Sequence, residues 1–142
     1  MERIMALSFA EDPTRGGADR VRSSTAPWIN REIDARTDRN IRRYEDSERD
    51  AIRSRIAELD REWDVERVLE MNASTLALTG LVLGLTVNRK WLAVPGIVLP
   101  FLLQHAVQGW CPPLPLLRRL GVRTRKEIDR ERYALMALLD PY

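Results

Sequence analysis

Cysteine and histidine are nearly missing from this chain of 142 residues, where Cys111 and His105 each stand alone. One thiol excludes a disulfide scaffold, and one thiol with one imidazole excludes a self-contained zinc site or a His-rich metal centre. A basic footprint for nucleic acid is missing too. The chain has 23 Lys+Arg against 21 Asp+Glu, with net charge −3 over residues 1–72, +2 over 73–108 and +3 over 109–142. None of these blocks is the concentrated positive face that nucleic-acid binding requires. No nucleophile–base pair, glycine-rich phosphate loop or carboxylate dyad is legible either, so the expectation is a protein that is not an enzyme. The most informative absence is local. Residues 73–110 carry only the adjacent Arg89 and Lys90, while the other 42 charges fall in the remaining 104 positions. Soluble helices interleave charged and apolar residues. Segregation into blocks points to a membrane segment inside a charged chain.

What is present divides into four parts. Residues 1–45 contain Gly16-Gly17, Pro13, Pro27 and the run Ser23-Ser24-Thr25, and no sustained period is evident. The expectation there is an extended arm, disordered unless a partner holds it, with Pro27, Trp28 and Ile29 as its partner-binding spot. Residues 46–70 read as a charged amphipathic helix. Ser47 begins it as N-cap with Asp50 in the acidic third position, and Ile52, Ile56, Leu59 and Trp63 make a narrow stripe at spacings of four, three and four. Residues 71–110 read as a transmembrane hairpin: segments 71–87 and 91–110 around the turn 88–90. The two segments reach about 25 Å and about 30 Å as helices, against a hydrocarbon core of roughly 30 Å. Kinks are expected at Pro95 and Pro100. Ala77, Gly80 and Gly84 share one face, expected to pack closely against the second helix around Gly96, with a second subunit as the alternative. Residues 111–142 begin with a proline-rich turn, Cys111-Pro112-Pro113. They continue into an amphipathic helix that opens on the capping box Thr124-Arg-Lys-Glu127 and carries Ile128, Arg132, Leu135 and Leu139. The fold class is therefore an all-α membrane protein: a two-helix transmembrane hairpin flanked by amphipathic helices, with an extended irregular N-terminal arm. Arginines before and after the hairpin outnumber the two charges in its turn, which predicts both termini on the cytoplasmic side.

Two groups in the second segment could carry chemistry. Gln104, His105 and Gln108 form an intramembrane polar cluster, and an ionisable residue at such depth is a functional candidate. His105 could hydrogen-bond Gln108 or a hydroxyl of the first helix, or it could ligate the metal of a tetrapyrrole; otherwise no cofactor is implied. Cys111 is a candidate thiol site. It lies at a helix C-terminus, where the dipole disfavours a thiolate.

The glycine-rich first segment, the short turn, and a second segment closing in Gln108-Gly109-Trp110-Cys111-Pro112 form a recognisable pattern. With Leu114, Leu116-Leu117 and Gly121-Val-Arg-Thr124 following, residues of about 72–124 resemble the YgaP-type inner-membrane family. That resemblance implies a small two-helix hairpin. Some members of the family carry a sulfur-transfer domain, but this chain has no second cysteine and no α/β pattern, so the topology carries over and a reaction does not. The leading expectation is a non-enzymatic accessory subunit that scaffolds or stabilises a larger respiratory or photosynthetic complex in a bacterial inner membrane. Its partners would be other membrane subunits and the lipid bilayer. The alternatives are a sulfur-linked membrane protein acting through Cys111 and a small homo-oligomeric channel or carrier.

Overall fold

A computed structural model describes residues 20–140. The part of the expected arm that precedes residue 20 lies outside the described residues. Within them the chain is all-helical, with no strand, and contains two long apolar helices.

After a single turn, α1 (Arg20–Ser23), comes α2 (Pro27–Tyr44). This helix corrects the expectation of an irregular arm. Pro27 occupies the first turn, where its missing N–H is no loss. Ile29, Ile33, Thr37 and Ile41 then recur every four residues, and all four are buried. The stripe is one residue wide and is interrupted by a threonine, so the charged residues around it hide the period. Charge is also what holds the helix in place. α2 packs against the chain's own last helix.

α3 (Arg49–Arg61) buries Ile52 and Leu59. Its N-cap is Glu48, which makes no side-chain cap bond; Ser47 instead donates its hydroxyl to the Arg43 carbonyl at 3.1 Å. The backbone turns extended at Glu62 and Asp64, so the charged helix does not run on to residue 70. Trp63 falls in this break, exposed, with the Arg67 guanidinium 4.5 Å above its ring. α4 (Val65–Thr86) starts here, with the Asp64 carboxylate accepting from the Arg67 N–H at 2.8 Å. Its 22 residues span about 33 Å.

The turn of the hairpin is longer than three residues. Asn88 caps a single 3-10 turn, Arg89–Leu92, by accepting from the Lys90 N–H, and α5 (Ala93–Gln108) follows. Pro95 therefore sits in the first turn of α5 and costs no helical hydrogen bond; Pro100 is the interior proline. α5 ends at Gly109 with φ +77°, where the chain passes so close to Arg20 that a Cβ would lie 2.2 Å from the Arg20 Cβ. Only glycine meets both demands.

α6 (Leu114–Arg119) and α7 (Arg125–Leu139) complete the chain, and the Thr124–Glu127 capping box is formed in both directions. α7 is the hub. Ile128 and Leu135 pack with Ile52 and Leu59 of α3, flanked by Tyr44, Ile56, Leu138 and Leu139. A second cluster joins Val21, Val65, Leu69, Cys111 and Leu114, and it anchors the base of the hairpin to the bundle.

Candidate functional site at the base of the hairpin

Buried ion pairs as well as apolar clusters join the helices of the bundle. Arg118, on α6, is fully buried and uses all five of its N–H groups. Nη1 and Nη2 grip Glu127 at 2.7 Å each, Nη1 also donates to the Val122 carbonyl, Nη2 to Asn30, and Nε to the Thr25 hydroxyl. Glu127 in turn accepts from Arg22 at 2.6 Å and from the Thr124 N–H at 2.8 Å. Arg123, equally buried, takes Glu62 through Nε and Nη2 and reaches Glu131 at 2.5 Å and Thr37 at 3.3 Å. Glu131, with no exposed side-chain surface, also accepts from Arg55 at 2.9 Å. The network thus ties α1, α2, α3, α6 and α7 into one body. Arg22–Asp34, Arg130–Asp38 and Arg132–Asp60 extend it outward.

Burial alone would raise the Glu127 carboxyl, but the Arg118 fork, the Thr124 N–H and Arg22 outweigh it and hold it below the usual carboxylate range. The hydrogen bonds that Arg22 donates to Asp34 and Glu127 carry it above its ordinary value against the opposing effect of burial. Burial lowers Arg123, but its bonds to Glu62 and Glu131 more than compensate and raise it. A carboxyl depressed on folding stabilises fully above its unfolded pKa of about 4.3, and its contribution disappears as pH falls through the folded value. Arginines raised on folding contribute at every usable pH. Stability should therefore be nearly flat above about pH 5 and fall on the acid side, with a shallower acid slope in Glu127→Gln. Chemical unfolding measured at stepped pH tests this; an unchanged acid slope in the variant would contradict it.

Of the residues singled out from sequence, Gly80 and Gly84 are buried against the second half of the hairpin, and Ala77 on the same face is half-buried. Their partner is not Gly96, where an added Cβ would meet nothing within 4 Å. A Cβ at Gly80 would fall 2.6 Å from Pro95 and 2.7 Å from Val94, and one at Gly84 would fall 2.5 Å from Leu92. The contact is displaced toward the turn because the 3-10 segment shortens α5 at its start. Gly80→Val should thus destabilise the hairpin by about 1–3 kcal/mol, while Gly96→Val should change it little. Equal effects of the two substitutions on unfolding in mild detergent would refute this packing.

Pro27, Trp28 and Ile29 are placed at the start of α2. Ile29 is buried within the chain, and Trp28 points outward. The polar cluster separates. Gln104 donates to Gln108 at 3.3 Å, whereas His105 turns away from Gln108, is buried at 7% exposure, and brings Nε2 to 3.9 Å from Glu66. Its Nδ1 has no hydrogen-bond partner among the described residues. Cys111 is 4% exposed inside an apolar cluster, and burial pushes its thiol up, away from a reactive thiolate.

The network residues are not legible as a site in the sequence. Arg118 and Arg123 count there as flanking positive charges, and only the capping-box spacing Thr124–Glu127 hints that a carboxylate turns inward. Beside the network, Arg36, Arg43, Tyr44 and Glu62 line a cavity of about 380 Å³. A second cavity, of about 340 Å³, lies at the base of the hairpin against His105.

The hairpin itself presents large apolar side chains outward along its whole length. Leu76, Leu78, Leu81, Val82 and Leu85 on α4, and Ile97, Leu99, Phe101, Leu103 and Val107 on α5, are all exposed. The helical stretch ending with α4 at Thr86, and Arg89–Gln108 taken as the 3-10 turn together with α5, are long and apolar enough to cross a membrane. Neither family models, nor characterised proteins, nor solved structures match the chain.

Proposed function

We propose that the chain is a two-span integral membrane protein whose helical bundle stands at the cytoplasmic surface of a bacterial inner membrane. There it serves as a non-enzymatic accessory subunit of a larger membrane complex. One observation carries the membrane reading: the hairpin leaves its long apolar helices almost bare, with Leu78 64% and Leu85 75% exposed. A core helix of a soluble protein would bury such side chains, and exposed apolar patches beyond a few hundred Å² mark contact with lipid or protein. Orientation is supported by charge. Arg61, Arg67, Arg119, Arg125 and Lys126 lie near the hairpin base, against Arg89 and Lys90 at its tip. The resemblance of residues 72–124 to YgaP-type hairpins favours the same topology.

The accessory role rests on proportion. Two helices packed on each other enclose no pathway, and the glycine face that a homo-oligomeric pore would use is taken up within the hairpin. Cys111 is packed away, which weighs against the sulfur-linked alternative. The test has two stages. The protein should stay in membranes after alkaline carbonate washing; release into the soluble fraction would end the membrane reading. Solubilised in mild detergent, it should then migrate with other membrane subunits. A clean homo-oligomer, or a monomer without partners, would overturn the accessory role.

A further inference from the structure

We propose that the 380 Å³ cavity beside the buried network binds the diphosphate group of a small soluble anion. α2 and α3 both lie against α7, and the cavity opens in the groove between them. Arg36, Asn40, Arg43 and Tyr44 make the α2 wall, at the four- and three-residue spacings that keep one helix face together. Arg55 and Glu62 face them from α3 and its end, and Arg123 comes from the segment just before α7. No hairpin residue lines the cavity, so the site stands apart from the membrane reading.

Acceptors on this wall are used up, while donors are left over. Glu62, the one carboxylate lining the cavity, has both oxygens taken by the Arg123 fork. Glu131, buried beside it, gives one oxygen to Arg55 and the other to Arg123 and Asn40. Two of the four lining arginines meet no carboxylate among the described residues. Arg36 is half-buried, and its Nη2 donates to the Gly121 carbonyl at 2.8 Å. A Cβ on Gly121 would lie 2.7 Å from its Nη1, so the glycine is what lets this guanidinium seat. Arg43 is exposed at the rim and, like the Tyr44 hydroxyl, makes no hydrogen bond among the described residues. Charges drawn out of water are normally paired, and leftover N–H donors on a concave wall select an anion. Size and spacing favour two phosphates over one. The cavity has the volume of about a dozen waters, more than a single phosphate fills. Arg36 and Arg43 stand about 10.5 Å apart along α2, so a ligand with two charged groups can reach both. A diphosphate also brings more acceptor oxygens than a dicarboxylate, enough for both guanidiniums and the Tyr44 hydroxyl.

Isothermal titration calorimetry of the full chain in mild detergent, at constant ionic strength, provides the test. The probes are pyrophosphate, ADP, AMP, inorganic phosphate and succinate. Pyrophosphate should bind at a single site, roughly tenfold tighter than inorganic phosphate or succinate. ADP separates the two sources of a diphosphate: affinity equal to that of pyrophosphate supports an ester, and its exclusion supports the free ion. Arg43→Gln, which breaks no bond within the chain, should weaken pyrophosphate about tenfold, and Tyr44→Phe roughly threefold. Arg42→Gln is the control, an exposed neighbour outside the cavity, and should change binding less than about twofold. Thermal unfolding without ligand should be the same for all three variants and the unaltered chain. Equal losses in the Arg42 and Arg43 variants would reduce the effect to general charge and overturn the site. Absence of saturable pyrophosphate binding, or phosphate, AMP or succinate binding as tightly as pyrophosphate, would overturn it too.

Discussion

Arg118→Lys should cost the bundle about 3–5 kcal/mol, as much as an apolar replacement, although it keeps the charge. Arg118 is fully buried and donates five hydrogen bonds, two of them to opposite oxygens of Glu127. A lysine has one nitrogen and three donors. It cannot hold both carboxylate oxygens while also reaching Asn30 on α2 and the Thr25 hydroxyl, so several buried acceptors would be left without a donor. Arg118→Leu should cost a similar amount for a different reason, because Glu127 would keep only Arg22 and its backbone contact against burial. Arg118→Leu combined with Glu127→Leu should cost less than the two single changes added together, with a coupling of about 1–3 kcal/mol. Denaturant unfolding of the four variants, the Glu127→Leu single included, followed by tryptophan fluorescence in mild micelles measures these effects. If Arg118→Lys unfolds like the unaltered protein, the fork is not what joins α6 to α2 and α7.

This network explains why the N-terminal helix escapes sequence reasoning while the hairpin does not. Hairpin segments announce themselves by what they lack: a run of uncharged residues longer than any soluble helix needs, broken only at Arg89-Lys90. The Thr124–Glu127 box and the spacing of Ile128 and Leu135 are equally plain, because each depends on residues a few positions apart. α2 depends on partners far away. Arg118 meets Asn30 across 88 positions, Arg123 meets Thr37 across 86, and Arg130 meets Asp38 across 92. Every arginine looks alike in one sequence, and nothing near Arg123 says that it will be buried on Glu131 while Arg125, two residues on, stays exposed. With Ile29, Ile33 and Ile41 as its only fully buried large apolar side chains, α2 lacks the apolar area that marks an ordinary helix. The same blindness hides the hairpin contact: the Gly80 face is visible, but its seat on Val94 and Pro95 depends on a 3-10 turn that spacing does not encode. It also hides the pairing of His105 with Glu66, since those residues belong to different helices.

Leu78→Lys, Leu99→Lys and the two together provide the largest expected effect on the hairpin, and their sign depends on its surroundings. Leu78 and Leu99 point outward from the middle of α4 and α5, and each is more than half exposed. On a soluble protein, replacing exposed leucines by lysine would change stability by no more than about 0.5 kcal/mol and would raise solubility. In a bilayer, each lysine at the centre of a span costs about 2.5–3.5 kcal/mol on the insertion scale. Neither can snorkel easily from mid-span, so the double variant should lose most of its carbonate-resistant fraction and accumulate as an uninserted or degraded chain. Lysine at Met71 is the control. That position is also exposed, but it lies near the hairpin base, where a lysine reaches the interface, so insertion should be close to normal. The measurement is the membrane-retained fraction of each variant against the unaltered protein. Full retention of the double variant, or equal loss in the Met71 control, would mean that the exposed leucines face something other than the hydrocarbon interior.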